Sequence, residues 1–144
     1  MSNLFPFVYN RPISKMKGTN GLEIRKITTE SGKSFTLKCI SFENGWFIGV
    51  MEGADRIGSL TVSIGSSNKS NTATVIPSRY HSVFTNTIAE RVSLMINGIC
   101  VVSLYTNNQL NLEDMKAIMG DIMNIVRGKH NGDNKKKEIE RYRR

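Results

Sequence analysis

With 144 residues and 39% apolar content, the chain is sized for one globular domain around a single modest core. No run approaches the roughly 18 apolar residues of a membrane-spanning helix, and the opening MSNLFPFVYNRP, with no basic start and with Pro6, Asn10 and Pro12 interrupting it, does not read as a signal peptide. The formal charge of +8 is unevenly placed: residues 127–144 carry +5 and the first 126 residues only +3, so the basicity belongs to the segment RGKHNGDNKKKEIERYRR.

Residues 1–21 show no regular pattern and are expected to form a flexible N-terminal arm, with Phe5, Phe7, Val8 and Tyr9 available to the core or to a partner. From Glu23 the pattern becomes that of strands: EIRKITT, a tight turn ESGK carrying Gly32, then SFTLKCISFE. Asn44-Gly45 follows at once, the strongest short hairpin signal because both residues tolerate positive φ, and WFIGVM predicts the third strand. Residues 58–64, GSLTVSI, alternate cleanly, with Leu60, Val62 and Ile64 on one side and Ser59, Thr61 and Ser63 on the other, as in a half-buried antiparallel strand. GSSNKSN predicts a loop, and TATVIP a short fifth strand ended by Pro77.

At Ser82 the period changes. Phe84, Ile88, Val92 and Met95 recur at helical spacing until Asn97-Gly98, which predicts the helix stop. ICVVSLY is apolar on both faces, as in a central strand covered on both sides. In the last helix Asn111 is the predicted N-cap, with Glu113 and Asp114 well placed against the dipole. Leu112, Met115, Ile118, Met119, Ile122, Ile125 and Val126 form its apolar face, and Gly128 is the predicted end. The expected fold is therefore an α+β domain over residues 22–128: an antiparallel β-sheet of about six strands with two main helices packed on it, in the order βββββαβα. Residues 129–144 are expected to form a basic disordered tail.

No pattern of catalytic or ligating residues emerges. Gly53, four residues, then Gly58 and Ser59 resembles a phosphate-binding P-loop, but Ser59 stands where the lysine belongs and a strand follows where a helix N-terminus is required. Gly53 and Gly58 are therefore read as allowing a tight strand connection. His81 and His130 have no Cys, His or acid at metal-ligand spacing. Glu113, Asp114 and Asp121 read as a solvated helix face. Cys39 and Cys100 lie in apolar runs and read first as buried, reduced thiols of an intracellular protein, ahead of a disulfide or a reactive thiol. No catalytic residue, metal or cofactor is expected. Candidate partner-binding residues are Trp46, beside the Asn-Gly turn, the polar strand face Ser59, Thr61 and Ser63, and the helix residues Glu90 and Arg91. For Trp46 core burial is the competing reading.

In order along the chain, WFIGVMEGA, IGSLTVSIGSS, TATVIPS, TIAERVS and GICVVSLYTNN, followed by an amphipathic helix, resemble the small proteasome-assembling chaperones, the fourth type rather than the third. The resemblance runs from about Lys38 to Arg127. It implies a non-enzymatic role: one half of a heterodimer with the related third chaperone (or of a homodimer), in the cytoplasm and nucleus. Such a pair holds 20S α-ring subunits on the face where β subunits later dock, and leaves as the β ring forms. Another subfamily carries a C-terminal hydrophobic-Tyr-X signal; here ERYRR puts Tyr142 third from last, after Arg141, and does not support that docking mode. The rival reading from another class is a small basic nucleic-acid-binding module acting through the C-terminal tail. With Tyr142 its only aromatic, that tail is poorly equipped to stack bases.

Overall fold

The computed structural model of the chain describes residues 21–142, with side chains through residue 132. Phe5, Phe7, Val8 and Tyr9 of the expected arm lie outside the described residues. The elements in chain order are β1 (Leu22–Thr28), β2 (Ser34–Phe42), β3 (Gly45–Glu52), β4 (Ser59–Ser66), β5 (Lys69–Ile76), α1 (Ser82–Ile96), β6 (Ile99–Tyr105) and α2 (Leu112–Tyr142). The order βββββαβα is as expected, and all six strands form one sheet, β1-β2-β3-β6-β4-β5.

One expectation needs correcting. The sheet is not purely antiparallel, because β6 runs parallel to β3, Phe47 opposite Val101 and Ile48 opposite Val102, while it is antiparallel to β4 on its other side. The cause is the connection. After the β4–β5 hairpin, α1 crosses the sheet face and returns the chain to the end from which β3 starts, so β6 enters beside β3 in the same direction.

The turns also differ in mechanism from the sequence reading. The β2–β3 hairpin closes through Glu43 and Asn44, with Phe42 opposite Gly45, and Asn44 is not among the residues with positive φ. Gly45 serves a different purpose: a Cβ there would overlap the Ile99 carbonyl, where the Ile99 N–H donates to the Asn44 carbonyl at 2.9 Å. The left-handed pair lies instead in the β4–β5 hairpin, at Ser67 (φ 51°) and Asn68 (φ 66°), flanked by the pair Ser66 and Lys69. That is a two-residue turn of the kind whose twist matches its strands.

Helix ends follow local chemistry. Asn97 takes the left-handed conformation and the Gly98 N–H donates to the Ser93 carbonyl at 3.0 Å, closing α1 as predicted. At the start of α2, Asn111 Oδ1 accepts from the Asp114 N–H at 2.8 Å and Asp114 Oδ2 accepts from the Asn111 N–H at 3.3 Å, a reciprocal capping box. The predicted stop at Gly128 does not occur. Gly128 is exposed and does not take the left-handed conformation, so no C-cap closes the helix there, and α2 runs on to Tyr142 through most of the expected tail.

Both helices lie on one face of the sheet. Phe35, Leu37, Ile48, Val50 and Val102 from the strands meet Ile88 and Val92 of α1 and Ile118, Ile122 and Val126 of α2 in one buried cluster. Among the described residues no helix lies on the other sheet face.

A candidate partner-binding surface

The uncovered face is the more apolar side of β4. Strand register places Leu22, Ile40, Phe47, Val101, Val62 and Ala73 opposite one another in turn, one apolar row across all six strands. Beside it run Phe42, Gly45, Ile99 and Ile64, with Phe42 60% and Ile64 51% exposed. A depression of about 340 Å³ lies between Phe42, Phe47, Ile99 and Val101. A contiguous apolar patch of this extent on a folded domain marks an interaction surface.

The candidate residues sort themselves against this surface. Ser59, Thr61 and Ser63 do not stand on it. They are buried under α1, where Ser63 Oγ and Ser93 Oγ are 3.0 Å apart and Thr61 Oγ1 donates to Thr85 Oγ1 at 3.5 Å. The two faces of β4 are thus reversed relative to the partner-facing role expected of its polar side. The reason is that α1 itself presents hydroxyls and lies close: a Cβ on Gly65 would overlap the Ser93 carbonyl. Trp46 is 7% exposed and belongs to the core, the competing reading. Glu90 is half-buried and accepts from Thr72 Oγ1 at 3.2 Å, while Arg91 is exposed on α1, away from the open sheet face. The residues the sequence reading missed are Ile40, Phe47, Val62, Ile64 and Val101. Their signal was present in ICVVSLY, whose two apolar faces require two covers, of which the described residues supply one.

The remaining polar groups have structural roles. Asp114 is fully buried and accepts from Ser31 Oγ at 2.8 Å, with Lys33 Nζ at 3.5 Å, so it joins the β1–β2 turn to the start of α2 rather than facing solvent. Burial alone would raise its pKa, but the Thr29 and Ser31 hydroxyls, the Asn111 N–H and Lys33 outweigh this and hold it below the ordinary carboxylate value. His81 is buried and its Nε2 accepts from the Leu110 N–H at 3.3 Å. Burial lowers its pKa, with Lys33 adding and a hydrogen bond to the Asn108 backbone opposing. Cys39 and Cys100 are free, buried thiols pushed up by that burial to about 12. Gly53 takes φ +77° and a Cβ on Gly58 would overlap the Leu104 carbonyl, so the loop between β3 and β4 uses its glycines to pass the end of β6. Among the described residues no group of three or more His, Cys, Asp or Glu is placed to hold a metal, and no described helix is long and apolar enough to cross a membrane.

No protein-family profile matches the chain. No curated protein matches it in sequence. Among solved structures, one chain of a yeast chaperone complex for 20S proteasome assembly matches with a TM-score of 0.55 at 10% identity, over 74% of this chain and 96% of that one. The two chains share a fold.

Proposed function

We propose that this chain is a proteasome assembly chaperone of the third/fourth type, nearer the fourth, that acts by binding alone. One observation carries the reading: an apolar row crosses all six strands and no described residue outside the sheet covers it, on a fold shared with a chain of a yeast 20S assembly chaperone complex. Two such sheets pack face to face about 10 Å apart. The partner is the related third chaperone, or a second copy of this chain in its absence. The pair buries at least about 1,200 Å², the lower end of specific interfaces.

The pair then holds 20S α-ring subunits on their β-facing side, in the cytoplasm and nucleus. A β subunit must enter the same volume, so docking of the β ring displaces the chaperone by competition. That exchange calls for binding in the nanomolar to micromolar range, roughly −8 to −12 kcal/mol, weaker than the β-subunit interface that replaces it. No catalytic group, metal or cofactor enters this account.

Affinity purification from growing cells, with mass spectrometry of the eluate, tests it. The chain is expected with a related chaperone and α-ring intermediates and absent from finished 20S particles. Recovery of ribonucleoprotein without α subunits would overturn the reading and favour nucleic-acid binding, which steep loss of affinity with salt would then identify.

A further inference from the structure

The side of the domain opposite the open sheet face carries a second apolar surface. Helices α1 and α2 both rest on the sheet but leave between them a groove of about 580 Å³. Phe84, Leu110, Met115 and Met119 form its floor, partly or wholly buried against the core. Val83 and Leu112 stand at its rim, 78% and 61% exposed. The spacing is helical on both walls: Val83 and Thr87 on α1, and Leu112, Lys116 and Gly120 on α2, succeed one another at i, i+4.

Two features distinguish this groove from an ordinary seam between helices. The first is Gly120, in the interior of α2, where glycine is less favourable than alanine. Among the described residues nothing lies within 4 Å of the position its Cβ would take, so no described contact requires glycine there. Its missing side chain keeps the groove open. The second feature is charge. Among the described residues Lys116 is the charged residue lining the groove, and no carboxylate lines it. Lys33 Nζ, which donates to the Gln109 carbonyl at 3.1 Å, is matched by the buried Asp114 carboxylate at 3.5 Å, so Lys116 sets the sign of the groove.

We infer that the groove between α1 and α2 is a docking site for an acidic amphipathic helical segment of a partner protein. The walls are helix faces, with no strand edge for an extended peptide to extend, so the helix-in-groove mode is the one available. Two methionines on the floor give the adaptable packing that such grooves use. Lys116 supplies the charge preference, as complementary charge supplies specificity rather than bulk affinity. This site is separate from the sheet face and does not depend on the pairing proposed for that face.

The test uses the full chain and two fluorescein-labelled synthetic helical peptides with leucines at i, i+3, i+4 and i+7. One carries glutamates flanking the apolar stripe; the other has each glutamate replaced by lysine. Fluorescence anisotropy is expected to show saturable micromolar binding of the acidic peptide and about tenfold or weaker binding of the basic one. Lys116→Glu should reverse that preference. Gly120→Leu, which fills the groove where no atom obstructs it, should abolish binding at an essentially unchanged melting temperature, whereas Gly120→Ala should keep it. In methyl spectra, peptide addition should shift the Met115 and Met119 signals. No saturable binding, equal binding of both peptides, full binding by Gly120→Leu, or shifts confined to the Val62 and Val101 methyls would each overturn the inference. None of these results bears on pairing through the sheet.

Discussion

Val101 lies at the centre of the open face, with Phe47 beside it on β3 and Val62 on β4, all apolar. Replacing it with aspartate separates the fold from the association. Within the monomer the side chain of this half-buried position points away from the helices, so a carboxylate there keeps contact with water. The cost is then mainly strand preference, about 1 kcal/mol, or a few degrees in Tm. In a face-to-face pair the same carboxylate is buried against apolar side chains with no partner, which costs about 3–5 kcal/mol. That is a loss of roughly two to three and a half orders of magnitude in affinity. A pair with an affinity of about ten nanomolar would fall to the micromolar range or weaker. Multi-angle light scattering at one micromolar, alone and with the related chaperone, should therefore find wild type paired and Val101→Asp monomeric. Ala117→Asp, at an exposed position on α2, serves as the control and should pair normally. If Val101→Asp keeps the mass of the wild-type complex, the open face is not the interface. If wild type is itself monomeric at tens of micromolar with its relative present, the pairing falls altogether.

Asp114→Asn should cost about 1.5–3 kcal/mol at neutral pH, because hydrogen bonds to a buried charge weaken. The folded pKa of Asp114 lies below the ordinary 3.8, so its contribution is complete above that value and fades as pH falls through the depressed one. Urea melts of the two proteins should converge in acid, and a difference that persists there would refute the assignment. With both thiols pushed up to about 12 by burial, neither Cys39 nor Cys100 should react with a thiol reagent at pH 8 until the chain is denatured; fast labelling of the native protein would contradict their placement. Truncation at Lys129 should lower the helical circular dichroism signal, since α2 continues to Tyr142, yet shift Tm by less than about 5 °C, because Val126 is the last buried apolar side chain among the described residues. A larger drop would mean that the distal helix packs on the domain.

The fold was readable in the sequence wherever the determining chemistry is local. Asn97-Gly98 ends a helix and Asn111 begins one through interactions within a few residues, and both stand as expected. The helix end at Gly128 was misplaced because a glycine terminates a helix only when it takes the left-handed conformation, which nothing around Gly128 imposes. The parallel pairing of β3 with β6 depends on where α1 returns the chain, a non-local fact. For the candidate surface, alternation in β4 was legible but its direction was not. Ordinary burial logic leaves the Ser-Thr face for solvent or a partner, yet Ser63, Thr72 and Ser93 satisfy one another beneath α1, a match visible only once the helix and strand are superposed. Asp114 was misread as solvated for the same reason, since its partner Ser31 is 83 residues away.

The position of β6 also constrains the order in which the molecule can assemble. Strands β1 to β3 form one antiparallel meander, and β4 with β5 forms a separate hairpin beneath α1; the two share no ladder until β6 pairs with both. During synthesis, residues through 98 can therefore yield only two half-sheets, each with an unpaired edge where the central strand belongs. The sheet becomes continuous once Ile99–Tyr105 has emerged from the ribosome, and α2, which covers the β1–β3 half, follows still later. Nascent chains stalled before residue 99 should bind holdase chaperones and be cut rapidly by protease, and chains stalled well beyond Val126 should resist both.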